Sequence, residues 1–410
     1  MQSWFIRRQV DPPWMLRGVD VIDIHTGVVR ENVYIVIAGD RIQSIGTDKP
    51  SKRMKVVDAS GLYVIPGLFD LHAHVMPKSR LFPAAPAPDE ALRLLLNAGV
   101  TTIRALPFNS ESALLWAAQV NSGTLAGPTM IVASSILEKE RQRTMLGFGD
   151  PSTAAAWVRK EALLGVRWIK AYNRMDEDSL RMIVDTARKF GMKVCGHANE
   201  VPPHRAAVLG MDSVEHATSI AYSCLRDDAG NAPGQVGLVQ AAWYWKNVDT
   251  AKLDRLMKTF LENETAWVPT LVVLEKITAS GGHDMISLDQ NVIDEFRKAM
   301  VESAKLAVRF HRDGGLLGIG TDFPVDGVPP GESVHRELEL IVEFGGATPL
   351  EALQMGTINS ARILGFEELL GVVDVGRLAH LVVLTENPID DISHVRSIRY
   401  VIHDGRLYEP

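Results

Sequence analysis

Cysteine is scarce in this chain, since only Cys195 and Cys224 occur among its 410 residues. Two cysteines cannot build a disulfide framework, and their separation does not match the close paired spacing of a zinc knuckle. We therefore expect two buried thiols, because free cysteine is among the residue types most often found inside a folded protein.

Positive charge is not in excess either, because 43 Lys and Arg are outnumbered by 50 Asp and Glu, for a formal net charge of −7. A chain without a basic field does not attract phosphates, which argues against nucleic acid and anionic membranes as partners. No apolar run reaches the roughly 18 residues of a membrane helix, and the amino-terminal MQSWFIRRQVDPPW has no apolar leader core. We expect a cytoplasmic protein that acts on a small molecule, with a homo-oligomer left open.

The composition is that of a globular protein, with 46% hydrophobic and 23% charged residues and with glycine and proline spread along the chain. A length of 410 residues fits one α/β barrel of roughly 250 residues together with a smaller domain. Disorder is therefore not expected.

Short strands with turns are predicted at both ends of the chain. β-Branched residues run between Gly, Asp and Asn in VDVIDIHTG and VYIVIAGDRIQSIG, and again in LAHLVVLTENP and RYVIHDGRLY near the carboxyl terminus. We interpret residues 1–66 and 369–410 as the two parts of one small, discontinuous β-sandwich domain.

The middle of the chain, residues 67–368, alternates short apolar runs with helical stretches. Eight runs are predicted strands: GLFDLHAHV, TTIRAL, TMIVAS, RWIKAY, KVCGHA, SVEHAT, AWVPTL and LLGIGTD. Helical stretches such as SLRMIVDTARKFG lie between most of them, with Gly at the carboxyl end where a left-handed cap is needed. Eight strand–helix units predict a TIM-type (β/α)8 barrel of the α/β class.

His72 and His74 in LHAH are the first candidate metal ligands. Side chains two residues apart in a strand point to the same side, so this pair can hold one cation. Imidazole suits zinc and related divalent ions. Taken alone, the pair is equally compatible with two hydrogen-bonded histidines of the protein core.

Four more candidate ligands follow other predicted strands: Lys170 closes RWIKAY, His197 closes KVCGHA, His216 closes SVEHAT and Asp322 closes LLGIGTD. The carboxyl ends of barrel strands face one mouth, where the active sites of this fold lie. Burying an uncompensated Lys and Asp there is costly, and a bound cation would offset that cost. The pattern therefore favours a metal centre over unrelated packing roles.

The motifs PGLFDLHAHV, WIKAYN, VCGHAN, SVEHAT and GIGTDFPV occur in this order, and LAHLVVLTENPIDDI follows near the end. With them the chain resembles the amidohydrolase superfamily over nearly its whole length, in particular the imidazolonepropionase-like and prolidase-like (Xaa-Pro dipeptidase-like) members. It departs from relatives at Ala105 in TTIRALP and at His380 in AHLVVL, where they commonly have Asp. Neither change removes one of the candidate ligands named above.

This resemblance implies a centre of two divalent metal ions. One ion would be held by His72, His74 and Asp322, the second by His197 and His216, with carboxylated Lys170 bridging both. Carbon dioxide on the amine makes chemical sense, because an ammonium cannot bind a metal whereas a carbamate offers two oxygens like those of Glu. Zinc is the expected metal, although Mn, Fe or Co would satisfy the same ligands.

The activity that the resemblance implies is hydrolysis of an amide C–N bond, with a dipeptide or N-acyl amino acid as the favoured substrate. A metal-bridging hydroxide would attack the carbonyl, and Asp322 would pass its proton to the leaving nitrogen. Tyr172, two residues beyond Lys170, is a candidate for substrate binding, with packing as an equal alternative.

Other functions stay open at this point. The same centre could hydrolyse a carbamate, urea, lactam or ester, including a xenobiotic. Lys170 could instead form a Schiff base in a lyase or aldolase, which would leave four histidines without a role. Asp322 could cap a helix, Lys170 could be a surface lysine, and the barrel could be a binding module without catalysis.

Overall fold

The structure is a computed structural model. It describes residues 12–48, 54–79, 82–140, 146–230, 240–280, 282–283, 286–287 and 290–410. Most of the amino-terminal segment in which no leader was predicted lies outside these residues. None of the helices in the described ranges is long and apolar enough to cross a bilayer.

The described strands are β1 (Trp14–Ile22), β2 (Val29–Ala38), β3 (Arg41–Gly46), β4 (Lys55–Asp58), β5 (Tyr63–Pro66), β6 (Leu68–Ala73), β7 (Val100–Ala105), β8 (Thr129–Val132), β9 (Leu137–Glu138), β10 (Leu146–Gly147), β11 (Trp168–Ala171), β12 (Lys193–Gly196), β13 (Ser213–Glu215), β14 (Ala266–Val268), β15 (Gly282–His283), β16 (Ile286–Ser287), β17 (Leu381–Leu384), β18 (Ile398–His403) and β19 (Arg406–Tyr408).

The described α-helices are α1 (Pro88–Asn97), α2 (Ser110–Ser122), α3 (Pro151–Leu164), α4 (Glu177–Lys189), α5 (Pro203–Leu209), α6 (Thr218–Ser223), α7 (Ala241–Lys246), α8 (Thr250–Glu262), α9 (Leu271–Ser280), α10 (Gln290–Arg312), α11 (Glu332–Glu343), α12 (Pro349–Gln354) and α13 (Ser360–Leu364). A π-helical turn, Met355–Asn359, joins α12 to α13.

Strands from both ends of the chain form one mixed sheet in the order β19, β18, β17, β5, β1, β2, β3, with β4 beside β1. The two ends meet at β5, which pairs in parallel with β1 and antiparallel with β17. Leu16, Val64, Leu381 and Ile402 are fully buried in a shared apolar cluster. The prediction that both termini build one β unit is confirmed as a mixed sheet.

The middle of the chain contains two parallel sheets, one of β6, β7 and β8 and one of β10, β9, β11, β12, β13 and β14. Residues of β6, β7 and β11 are buried along the whole strand, as expected for parallel strands covered on both faces. Helices α1 to α5 alternate with these strands in the order that the sequence predicts. The α/β class is therefore confirmed.

Isolated parallel pairing connects the first sheet to the second. Ala133, just after β8, pairs with Trp168 of β11. The backbone N–H of Ser134 donates to the Trp168 carbonyl at 2.7 Å, and that of Arg167 donates to the Val132 carbonyl at 3.1 Å. The neighbouring edges of the two sheets are thus hydrogen-bonded to each other.

Segment 316–323, the last predicted strand, is not a regular strand in the structure. It pairs with β14 through Leu317 and with β6 through Phe323, so it lies between them. A Cβ on Gly320 would come within 2.8 Å of the Cβ of His72, closer than real Cβ atoms approach. Glycine is therefore required for this close packing, and it weakens the regular strand geometry of the segment.

Both cysteines are buried and free, as the sequence predicts. Burial raises the pKa of the Cys195 thiol and of the Cys224 thiol to about 11. Both groups are therefore protonated near neutral pH, and they act as small apolar side chains of the core.

Candidate metal centre

The six predicted ligands come together at the carboxyl ends of the parallel strands. His72 is the fifth residue of β6 and Lys170 the third residue of β11, while His197 and His216 immediately follow β12 and β13. His74 and Asp322 complete the group from the chain just after β6 and from segment 316–323. Five of the six side chains are buried and His197 is partly buried. Residues far apart in sequence therefore share one water-poor site.

The first subgroup consists of His72, His74 and Asp322. Nε2 of His74 lies 2.8 Å from Oδ1 of Asp322, and Nε2 of His72 lies 3.4 Å from the same oxygen. Two imidazole nitrogens and a carboxylate oxygen are thus close enough to bind one cation.

The second subgroup consists of His197 and His216, with His72 within reach. Nε2 of His197 and Nε2 of His216 face each other at 2.9 Å. The ring centroids of His72 and His216 are 4.7 Å apart, and one nitrogen from each of the three rings fits a second cation position. His72 therefore lies between the two subgroups, whereas the sequence assigned it to the first alone.

All four histidines hold their Nδ1 atom away from the site in a hydrogen bond. The acceptors are Glu215 Oε2 for His72 at 2.8 Å, the Leu106 carbonyl for His74 at 2.6 Å, Asn173 Oδ1 for His197 at 2.8 Å and Thr270 Oγ1 for His216 at 2.7 Å. Fixing the proton on Nδ1 leaves the lone pair of each Nε2 facing inwards. This is the arrangement that orients histidine ligands in metal sites.

Burial sets the protonation of these rings. It lowers the pKa of His72 and of His197 well below the ordinary value, with the nearby Lys170 charge adding to the effect. It also lowers the pKa of His216, to about 4. These three rings are therefore neutral near pH 7, which is the form that binds a metal.

Lys170 is fully buried beside this cluster, with its Nζ 3.4 Å from Nε2 of His72. Burial lowers the pKa of its amine, although the Glu215 carboxylate opposes that shift. A buried lysine at this position differs from the surface lysine that the sequence left as an alternative. A neutral amine is also the form that can react with carbon dioxide.

Asp322 is 6% exposed and faces both subgroups. Burial alone would raise the pKa of its carboxyl, but the nearby His216 and the close contact with His74 outweigh burial and lower it. Asp322 is therefore ionised at neutral pH and can accept a proton or bind a cation.

Two of the candidate ligands have backbone conformations that are rare for residues with a side chain. The φ angle is 67° at His216 and 60° at Asp322. Such left-handed residues cost of order 1–3 kcal/mol each and concentrate at functional sites. The strained backbone conformations therefore occur at two residues that the sequence analysis had already selected as candidate ligands, because each follows a predicted strand.

Two charged residues of the site were missed by the sequence analysis, Arg104 of β7 and Glu215 of β13. Nη2 of Arg104 donates to Oε1 of Glu215 at 2.6 Å, and both side chains have no exposed surface. Glu215 also accepts from His72 Nδ1, so the ion pair supports a candidate ligand. The sequence did contain a signal for this ion pair: Arg104 is a charged residue within the apolar strand TTIRAL, and Glu215 is one within SVEHAT.

Asp70 was also missed. Its carboxylate accepts from the Thr321 hydroxyl at 2.6 Å and from the backbone N–H groups of Thr321 and His72 at 3.1 and 3.0 Å. Burial raises the pKa of this carboxyl to about 6. Asp70 therefore connects β6 to the segment that carries Asp322 through hydrogen bonds. Its position two residues before His72, on the same side of the strand, was the sequence signal that could have identified it.

Tyr172 lies beside the cluster, with its ring centroid 4.4 Å from that of His197. Burial raises the pKa of its phenol to about 12, so the hydroxyl stays protonated near pH 7. The contact places an O–H group next to a candidate ligand, and its role in substrate binding stays a prediction.

An aromatic pair borders the other side of the cluster. The Phe108 ring is stacked on His74 at a centroid distance of 6.1 Å, and the Phe82 ring lies 5.7 Å from that of Phe108. Both rings are only partly buried. They form an apolar wall next to polar ligands, which is the usual composition of a small-molecule pocket.

The chain belongs to the amidohydrolase family, whose model matches residues 63–408. The predicted resemblance to this family is confirmed. The fold is similar to that of a Xaa-Pro dipeptidase crystallised with bound methionine, at a TM-score of 0.77 and 22% identity, covering 97% of this chain and 100% of that one.

The matches to curated relatives cover a smaller share of the relative's own length. An ochratoxinase of Aspergillus niger is 28% identical over 152 residues, which are 36% of this chain and 30% of the relative. Adenine deaminase 2 of Rhizobium etli is 26% identical over 409 residues, covering 96% of this chain and 56% of the deaminase. The chain thus matches about a third to a half of the length of these two relatives.

Proposed function

We propose that this protein is a metal-dependent hydrolase that cleaves an amide C–N bond in a dipeptide or an N-acyl amino acid. The observation that carries the proposal is the common orientation of the four histidines, each with Nδ1 hydrogen-bonded outwards and Nε2 facing the interior of the site. The fold similarity to a Xaa-Pro dipeptidase supports the choice of substrate class.

The architecture we propose for it is a closed (β/α)8 barrel at 67–368, with a β-sandwich domain formed by 1–66 and 369–410. Pairing of segment 316–323 with both β14 and β6 supports closure on one side of the ring. Pairing of Ala133 with Trp168 supports it on the other. Closure would gather the six candidate ligands around one mouth.

Two divalent ions, with zinc as the expected metal, fit the donor set of the site. The first would be held by His72, His74 and Asp322, the second by His197 and His216, with Lys170 between them. Bound there, the ions would supply Lewis acidity and lower the pKa of water near the substrate carbonyl. The neutral nitrogens and the ionised carboxylate described above suit such ions.

Lys170 would bridge the two positions as a carbamate. In forming it, the neutral amine makes an N–C bond to carbon dioxide and releases one proton, which leaves a single negative charge on two oxygens. The buried position next to His72 supports this modification, because an unmodified ammonium would stay without a carboxylate in hydrogen-bond contact among the described residues. A Schiff-base role for Lys170 would give the oriented histidines no function.

Asp322 would move the proton in the reaction. As an ionised carboxylate in contact with His74, it can accept a proton from the attacking water and donate it to the leaving nitrogen. The phenol of Tyr172 would donate a hydrogen bond to a carbonyl or carboxylate of the substrate. Arg104 and Glu215 would position His72 without contacting the substrate. A cytoplasmic location and a homo-oligomer stay predictions.

Metal content per chain, measured together with turnover of a dipeptide and N-acyl amino acid panel, tests this proposal. We expect two zinc ions at the candidate metal centre of the wild type, and in Lys170→Ala the loss of at least one of these ions and of turnover. Lys160→Ala is the matched control, because that lysine is half-exposed and pairs with Glu111 at the surface. A full metal complement with normal turnover in Lys170→Ala would contradict the bridging role.

The substrate class is tested separately on the same wild-type protein. Activity confined to carbamates, ureas, lactams or esters would replace the amide assignment while leaving the metal centre in place. Trapping of a carbonyl substrate by borohydride on Lys170, without any metal requirement, would instead identify a lyase.

A further inference from the structure

A second cluster of potential metal ligands lies in the terminal sheet. His380 immediately precedes β17, His403 ends β18, and Asp404 begins the turn from β18 to β19. The two histidines are 3% and 1% exposed, whereas the Asp404 side chain is 15% exposed.

The donor atoms of this cluster converge. Nε2 of His380 is 2.9 Å from Oδ1 of Asp404, and Nδ1 of His403 is 4.0 Å from Oδ2 of the same carboxylate. The two imidazole centroids are 4.5 Å apart. Ligands with bonds of about 2.0 Å to a tetrahedral zinc are about 3.3 Å from one another, so the observed spacings bracket the value for a zinc site.

The turn accounts for Asp404 but not for the histidines. Asp404 and Gly405 have φ angles of 49° and 73°, as in a tight two-residue hairpin turn that favours Asp-Gly. Within the described part of the chain, the buried Nδ1 of His380 has no hydrogen-bond partner, so one carboxylate does not satisfy this ring.

His403 is oriented from its other side. Its Nε2 lies 3.0 Å from the Thr129 hydroxyl, and its Nδ1 lies on the side of the Asp404 carboxylate. A histidine held at one nitrogen by a neighbouring hydroxyl is typical of a metal ligand.

Thr129 also locates this cluster relative to the candidate metal centre. It is the first residue of β8, whereas the chain just past the other end of β8 reaches the centre, where the Ser134 hydroxyl accepts from the Lys170 backbone N–H at 3.0 Å. The two clusters therefore lie at opposite ends of one strand.

We propose that His380, His403 and Asp404 bind one divalent transition-metal ion, with zinc as the best match, at a structural site. The ion would connect β17 and the β18–β19 hairpin at the point where His403 meets β8. Solvent at the partly exposed carboxylate side provides a fourth ligand. Such a site stabilises the terminal sheet and takes no part in hydrolysis.

The test compares the number of zinc ions bound by the full-length wild type and by Asp404→Gly, after zinc loading and dialysis. Glycine suits the positive φ of this position, so the variant removes the carboxylate and keeps the turn. We expect Asp404→Gly to bind one zinc ion fewer per chain, with hydrolytic kcat/KM within twofold of the wild type. His380→Gln should show the same loss, and His25→Gln, an exposed histidine near the amino-terminal strands, should show none.

Because the readout is a difference of one ion, it does not depend on how many ions the candidate metal centre holds. Equal zinc content in the wild type and in both folded variants would overturn the proposal. Zinc should also raise the thermal unfolding midpoint of Lys170→Ala, and this rise should become smaller when Asp404→Gly is added. An unchanged rise in the double variant would likewise overturn it.

Discussion

Replacing Glu215 by Gln tests how far the candidate metal centre depends on residues that never touch a metal. The carboxylate accepts from His72 Nδ1 at 2.8 Å, from Arg104 Nη2 at 2.6 Å and from the Ser213 hydroxyl at 2.6 Å. Gln keeps the shape but replaces one accepting oxygen with an NH2 group. Either His72 or Arg104 must then lose its acceptor.

The magnitude follows from the burial of these groups. Arg104 and Glu215 have no exposed surface, and breaking a buried ion pair costs about 3–5 kcal/mol of unfolding free energy. Arg104 keeps its bond from Nε to the Leu71 carbonyl at 2.7 Å and its position over the Trp168 ring, so we expect about 3 kcal/mol. Loss of the His72 acceptor should weaken zinc binding by about 10–100-fold.

Chemical unfolding of metal-free protein and competitive zinc titration measure the two effects. Glu111→Gln is the matched control, because Glu111 is an exposed residue paired with Lys160. Adding Arg104→Met to Glu215→Gln removes the buried charge, so part of the lost stability should return while zinc binding stays weak. An unfolding free energy within about 1 kcal/mol of the wild type, with unchanged zinc affinity, would refute the positioning role.

Two further predictions concern groups around the site. Glu337 is fully buried and its pKa is raised to about 8 from 4.5, so the folded state keeps a proton that the unfolded state loses, and stability falls as pH rises between these values. Unfolding measured from pH 5 to 8.5 should show a loss of about 4 kcal/mol in the wild type that Glu337→Gln lacks; equal slopes would contradict this. Phe108→Ala should raise KM by up to about tenfold for substrates with an apolar side chain and leave kcat unchanged, as steady-state kinetics can check. A drop in kcat alone would exclude a binding role for Phe108.

The clustering of the candidate ligands could be predicted because their sequence signal is local. His72 and His74 are a strand-spaced pair, and Lys170, His197 and His216 each follow a short apolar run, so no knowledge of strand neighbours is needed. The family resemblance then joined these positions to Asp322. Local patterns of this kind also indicated the parallel sheets and the joint terminal sheet.

The supporting residues could not be predicted because their partners depend on how strands are arranged in space. Arg104 of β7 meets Glu215 of β13 only because both strands direct these side chains into the same interior, and no local pattern specifies that meeting. The same holds for the contact between Asp70 and Thr321, which requires segment 316–323 to pack against β6. The irregularity of that segment was also invisible, because its glycine has a role only once His72 is next to it.

The strained backbone at His216 and Asp322 links the fold to the chemistry of the site. Each residue follows a buried strand or strand-like segment, and a left-handed conformation there turns the side chain towards the cluster instead of continuing the strand alternation. The neighbouring structure supports both turns: Trp267 Nε1 donates to the His216 carbonyl at 3.1 Å, and the Asp322 backbone N–H donates to the His72 carbonyl at 2.7 Å. Since two such conformations cost of order 1–3 kcal/mol each, sequences selected for stability alone would place glycine or asparagine at these positions. The cation that we propose between them would account for a histidine and an aspartate at these two positions.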